Sequence, residues 1–245
     1  LALVGMPIDK LPPETIRRIL EGGESVCRRA GIPVAGGHSV DSVEPIYGLV
    51  AIGVVDPKLV KRNADARPGD KIVLGKALGV GIYSAALKNE KITEAQYRAL
   101  IATTTQLNTP GSRLARLPGV HGLTDVTGFG LLGHLLEMCK GSGVRATLRW
   151  DAIPLLPDLV GMVGEGHVTG ASQRNWASCG ALVDLGTHGK TERVLLTDPQ
   201  TSGGLLVSCA PDAVDAVLDA FRSDGFDRAA VVGEIAAGAP GIAVQ

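Results

Sequence analysis

Excess charge is the first thing this sequence lacks. Its 245 residues carry 24 Lys and Arg against 25 Asp and Glu, a formal net charge of -1, with no long block of like charges. Without a long-range field of one sign, a broad surface for nucleic acid or an anionic membrane is not expected. Long apolar runs are missing too: none approaches the roughly 18 to 20 residues that span a bilayer, and no stretch has the basic, apolar, small-residue order of a signal peptide. Cysteine is sparse, and Cys27, Cys139, Cys179 and Cys209 form no CxxC pair. That spacing argues against a zinc ribbon or a dithiol redox centre and for reduced, buried thiols. A cytoplasmic protein with neither nucleic-acid nor membrane partners is expected. Aromatic residues supply only 3% of the chain, yet 45% of it is apolar, enough to bury a large core without disulfides or a structural metal.

Several catalytic signatures are also missing. There is no GxSxG nucleophile elbow, so hydrolase chemistry has no handle. Gly79-Val80-Gly81 stops short of GxGxxG, and Lys76 is not in a GxxxxGK[ST] frame, so neither a Rossmann nor a P-loop reading is supported. His121, His134, His167 and His188 have no partner at metal-ligand spacing; His134, in an apolar helical stretch, reads as a satisfied core histidine.

What is present is an alternation of strand-like and helix-like segments without internal repeats, which predicts an α+β (α/β layered) fold. Leu1–Val4 reads as a strand and Pro12–Ala30 as an amphipathic helix with its prolines at the tolerated end. Ile32–Ala35, a glycine turn at Gly36-Gly37, and Ile46–Val55 read as strand, turn, strand. The polar stretch Asp56–Asp70 marks a boundary. Beyond it, Lys71–Leu74, Arg145–Trp150, Arg193–Leu196, Leu205–Cys209 and Ala229–Ile235 read as strands. Ile82–Lys88, Thr93–Leu107, Leu131–Cys139 and Pro211–Arg222 read as helices, the second opened by Thr93 and Gln96 at capping-box spacing.

Three constellations could carry chemistry. In Gly36-Gly37-His38-Ser39, two glycines let the backbone approach a ligand and present N–H groups to phosphate oxygens, with His38 and Ser39 as further donors; the same residues could simply make a tight turn. In Thr124-Asp125-Val126-Thr127-Gly128-Phe129-Gly130, a carboxylate at a strand end followed by glycines opening a helix suits Mg²⁺ beside phosphate, or else Asp125 caps the following turn. Asp198-Pro199-Gln200-Thr201-Ser202-Gly203-Gly204 is a polar loop running into a buried strand, more suited to ordering a turn than to facing a ligand.

Taken together with Glu44-Pro45-Ile46-Tyr47-Gly48 and Leu131-Leu132-Gly133-His134, these stretches resemble selenide, water dikinases (selenophosphate synthetases), in order and spacing over essentially the whole chain. Relatives of the same superfamily, such as aminoimidazole ribonucleotide (AIR) synthetase and thiamine-monophosphate kinase, share the architecture but not the TDVTGFGLLGH string. The resemblance implies a PurM-like (AIR synthetase-like) fold. Residues 1–56 would be the C-terminal part of a dimer-barrel, ATP-binding N-terminal domain, and residues 57–245 a complete C-terminal α+β domain. It implies that ATP, selenide and water give selenophosphate, AMP and orthophosphate, with Mg²⁺ on the triphosphate and a homodimer sharing the ATP site between subunits. Residue by residue, it makes Asp125 a Mg²⁺ ligand and Gly37, His38 and Ser39 the ATP-phosphate segment.

The sequence also departs from the family. A reactive Cys or selenocysteine, a nearby Lys, a glycine-rich ATP segment and further metal-binding aspartates have no counterpart, and Cys27 lacks the matching context. The opening run LALVGMP without an initiator Met is expected to be a chain cut in mid-domain. Ala77 stands where the family usually has Pro, and Thr169–Asn175 only partly keeps its glycine-threonine-arginine-asparagine stretch. With one metal carboxylate where triphosphate chemistry needs several, the chain alone is expected to have little synthetase activity. Two other readings remain: a small-metabolite kinase of the same superfamily, which would yield ADP, and a non-catalytic nucleotide-binding or dimerisation module.

Overall fold

The computed structural model describes residues 1–245, which divide into two compact units, Leu1–Pro57 and Lys58–Gln245. In the first unit, β1 (Ala2–Met6) leads through α1 (Pro13–Arg29) to β2 (Gly37–Asp41), parallel to β1, while β3 (Ile46–Leu49) pairs antiparallel on its other side. The helix starts at its prolines because Pro13 sits where a missing N–H costs nothing. Met6 and Cys27 are the buried apolar side chains of this unit; many others, including Leu3, Val40, Ile46 and Leu49, are exposed.

Two expectations change here. Gly37, His38 and Ser39 do not form a turn between strands but are themselves strand, while Ile32–Ala35 is irregular. The reason is the register: Gly37 pairs with Ala2, and a Cβ on Gly37 would lie 1.9 Å from the Ala2 carbonyl oxygen. The glycine thus serves close strand approach. The second strand expected over Ile46–Val55 ends at Leu49, since its ladder extends only opposite β1.

The second unit is built on a seven-stranded mixed sheet. Its elements in chain order are β4 (Lys71–Leu74), α2 (Val80–Lys88), α3 (Glu94–Thr105), α4 (Pro110–Leu114), β5 (Val120–Asp125), α5 (Gly130–Ser142), β6 (Val144–Leu148), α6 (Leu159–Gly164), α7 (Gly170–Cys179), β7 (Val183–Asp184), α8 (Lys190–Thr197), β8 (Leu205–Cys209), α9 (Val214–Arg222), β9 (Ala230–Ala237) and β10 (Gly241–Val244). The strand order is β5-β8-β4-β9-β6-β10-β7. In β4 the side chains alternate: Ile72 and Leu74 join the cluster containing Leu131, Leu135 and Met138 of α5, and Val73 joins that containing Val217 and Phe221 of α9. Helices therefore cover both faces here, and every residue of β8 is buried.

Arg193–Leu196, expected as a strand, lies in α8. A short apolar run has no period of its own. Glu192 decides locally, its Oε2 accepting the Gly189 N–H at 2.8 Å to open the helix. Packing decides globally, with Val194, Leu195 and Leu196 buried. The Thr93–Gln96 capping box is present as expected, its two bonds at 2.9 and 3.2 Å.

Candidate functional site

Antiparallel pairing brings three loops to one end of the large sheet. Leu74 at the end of β4 faces Leu206, and Asp125 at the end of β5 faces Leu205. The loops after β4, after β5 and before β8 must therefore meet. Backbone bonds join them: Gly75 N donates to Leu205 O (2.9 Å), Val126 N to Gly204 O (2.9 Å) and Gln200 N to Thr127 O (3.0 Å). Gly203 is forced by this approach, because a Cβ there would meet Val126 O at 1.9 Å.

The Asp198–Gly204 loop gives α2 its N-terminal cap from far along the chain. The first amides of a helix have no intrahelical acceptor. Here Gly79 N and Val80 N donate to Gln200 Oε1 (3.1 and 3.2 Å), and Gly81 N and Ile82 N donate to Asp198 Oδ2 (2.9 and 3.4 Å). Gln200 Nε2 in turn donates to Asp198 Oδ2 at 3.0 Å. Asp198 Oδ1 is buried without a partner, and burial pushes this carboxyl up to about 7, against the opposing pull of Gln200, Ile82 and Gly81.

Lys76 closes the same assembly. It is 3% exposed, and its Nζ donates to Ser202 O (2.6 Å), Gln106 O (2.7 Å) and Thr103 O (3.2 Å). Burial pulls its ammonium down to about 8. With all three protons engaged, it is a tie between the loop and the end of α3 and not a nucleophile. Lys76→Met would leave three carbonyls without a donor, and a loss of about 3 kcal/mol in urea unfolding is expected; an unchanged midpoint would refute the tie.

Asp125 stands apart in this network. Its carboxylate is exposed and makes no hydrogen bond, and the N-cap residue of α5 is Phe129, without a side-chain cap. The capping alternative is thereby removed. The turn behind Asp125 is rigidly held: Thr127 Oγ1 lies 3.1 Å from His134 Nε2, and Asn175 Nδ2 donates to Gly128 O (2.8 Å) and Thr197 O (2.9 Å). His134 is 8% exposed, and burial lowers its pKa against the opposing fields of Glu137 and Asp125. It is the satisfied core histidine expected. His121 pairs with buried Asp70 (2.9 Å), which also accepts from Ser208 Oγ. No cluster of three metal-binding side chains exists. Mg²⁺ nevertheless suits a single protein carboxylate, since it commonly takes its other ligands from water and substrate phosphates.

Gly37, His38 and Ser39 lie in the first unit on β2, an edge strand exposed along its whole length. The four cysteines are free and buried, with burial pushing Cys139 up to about 11 and Cys209 to about 12, so neither is a reactive thiolate. Lys76, Asp198, Gln200 and Asn175 went unrecognised as a network in the sequence; the available signal was a run of polar residues abutting buried strands.

Comparison with known proteins now decides the family. Residues 67–244 match "AIR synthase related protein, C-terminal domain", and residues 1–55 match the corresponding N-terminal domain. A selenide, water dikinase of Paraburkholderia xenovorans is 62% identical over 97% of this chain and 68% of its own length; that of Dechloromonas aromatica is 61% identical over 100% and 70%. The chain belongs to the selenide, water dikinase family. Among solved structures, thiamine-monophosphate kinase from Stenotrophomonas maltophilia superposes with a TM-score of 0.67 at 19% identity, covering 100% of this chain and 70% of that one. The hydrogenase maturation protein HypE in complex with ATP gives 0.66 at 16%, covering 100% and 69%. At these identities the two establish for the dikinase chain its PurM-like α+β fold. No helix is long and apolar enough to cross a membrane.

Proposed function

We infer that this chain serves selenophosphate synthesis, in which ATP, selenide and water give selenophosphate, AMP and orthophosphate. The observation that supports a metal-phosphate role is the Asp125 carboxylate, exposed and unbonded beside a turn held at Val126, Thr127 and Gly128. A hard oxygen held this way loses little entropy on taking a ligand. Mg²⁺ bound there would neutralise phosphate charge. Asp125 fixes the position of that charge, and His134 and Asn175 keep the turn from relaxing. Gly37 N–H, His38 and Ser39 are read as donors to ATP phosphates, in a homodimer whose sites are shared between subunits. ATP and reduced selenide as substrates, with four unpaired thiols, support a cytoplasmic setting.

Anaerobic phosphorus NMR with ATP, Mg²⁺ and selenide tests the reading. The expected nucleotide product is AMP, accompanied by a selenophosphate resonance; ADP with a phosphorylated metabolite would replace the dikinase reading by the kinase one. With a single exposed carboxylate at the site, turnover by these 245 residues alone is expected to be slight, and robust production would overturn that expectation.

A further inference from the structure

A cavity of about 310 Å³ lies between the first turns of α7 and α8, lined by Thr169, Gly170, Gln173, Trp176, Lys190 and Arg193, with Val168 and Val194 as its apolar part. No lining residue is acidic. Arg193 is half-buried and stacks its guanidinium over the Trp176 ring, 5.4 Å from the centroid. That contact fixes its direction without neutralising it. Neither Arg193 nor Lys190 forms an ion pair: Glu192, which lies between them in sequence, is turned to the Gly189 amide.

Two cations lining one hollow, without a counter-ion, repel each other unless an anion joins them. We propose that this cavity binds a small phosphomonoester, its phosphate held by Lys190 and Arg193 and its apolar body against Val168, Val194 and Trp176. Arg provides the fork that matches phosphate oxygens and Lys a mobile point charge. The Thr169 Oγ1 accepts the Ser172 amide at 3.1 Å, which leaves its O–H free to donate to the phosphate beside the two cations. Asp125 is not among the lining residues, and the proposal stands whether or not the nucleotide reading does. Helix α7 also carries Asn175, which holds the turn after Asp125 through Gly128 O.

Titration of intrinsic fluorescence with phenyl phosphate and with orthophosphate, each against chloride at matched ionic strength, tests this on the intact chain. Both phosphates are expected to perturb Trp176, phenyl phosphate at about tenfold lower concentration because it alone fills the apolar part. Lys190→Gln, at an exposed position, is expected to weaken both about tenfold without shifting the melting temperature, and Arg193→Gln to weaken both by more, in line with the strength of charge-assisted hydrogen bonds. Asp125→Asn is expected to leave them unchanged. Binding no stronger than that of chloride, or binding insensitive to Lys190→Gln, overturns the proposal. Binding lost in Asp125→Asn but kept in Lys190→Gln would place the anion at the metal corner and overturn it equally.

Discussion

Asp125→Asn is expected to lower Mg²⁺-dependent ATP affinity roughly thirtyfold while leaving stability within about 0.5 kcal/mol of the parent. The first figure comes from losing one unit charge against a divalent ion at an exposed site, worth about 2 kcal/mol. The second follows because the carboxylate is exposed and bonds to nothing in the protein. Isothermal titration with ATP, in Mg²⁺ and again in EDTA, separates the two. The variant should lose the difference between the conditions and keep any metal-independent binding. Loss of folding would instead show that Asp125 stabilises its own turn, and unchanged Mg²⁺ dependence would remove it from the metal site.

Asp198→Ala is expected to cost about 3 kcal/mol, a fall of roughly 10 °C in Tm, because two helix amides and the Gln200 amide lose their acceptor in a buried place. Asp198→Asn, with its carbonyl at the Oδ2 position, can keep all three bonds and should lie within about 1 kcal/mol of the parent. The pH dependence has a definite sign. Asp198 is pushed up to about 7 in the folded chain, against an ordinary value of about 3.9 when unfolded. Between these values the native state holds a proton that the unfolded state has released, so its contribution is full below about pH 4 and is lost as pH rises through about 7. The parent should therefore gain stability over Asp198→Asn on going from pH 8 to pH 5. Melting curves of both proteins across that range check it, since His134 titrates in both and cancels in the difference. A difference that does not change with pH would mean that the helix amides hold Asp198 charged throughout.

The local elements were legible because their causes are local. The Thr93–Gln96 box, the prolines opening α1, the apolar face of α5 and the β4 and β8 runs each carry their signal within a few residues, and the TDVTGFGLLGH string carried the family. Asp125 was visible as a candidate but not as an unbonded one, for the absence of a hydrogen bond is a property of neighbours. The Asp198–Gly204 loop looked like an ordinary turn. Its role depends on amides 121 and 117 residues away in the chain, which only antiparallel pairing of β8 with β4 and β5 brings within reach. The Arg193–Leu196 run read as a strand, and burial against its neighbours makes it helix instead. Gly37 looked like part of a glycine turn until the Ala2 backbone beside it explained the missing side chain.

By itself, then, the order of residues determined which segments have an intrinsic period, where helices can start, which family they belong to and which carboxylate to suspect. Tertiary structure alone decided which polar groups are consumed in holding loops together and which, like the Asp125 carboxylate, are left without a hydrogen-bond partner. The reason is that a hydrogen bond or ion pair is a relation between two groups, and the sequence supplies each group without stating its partner.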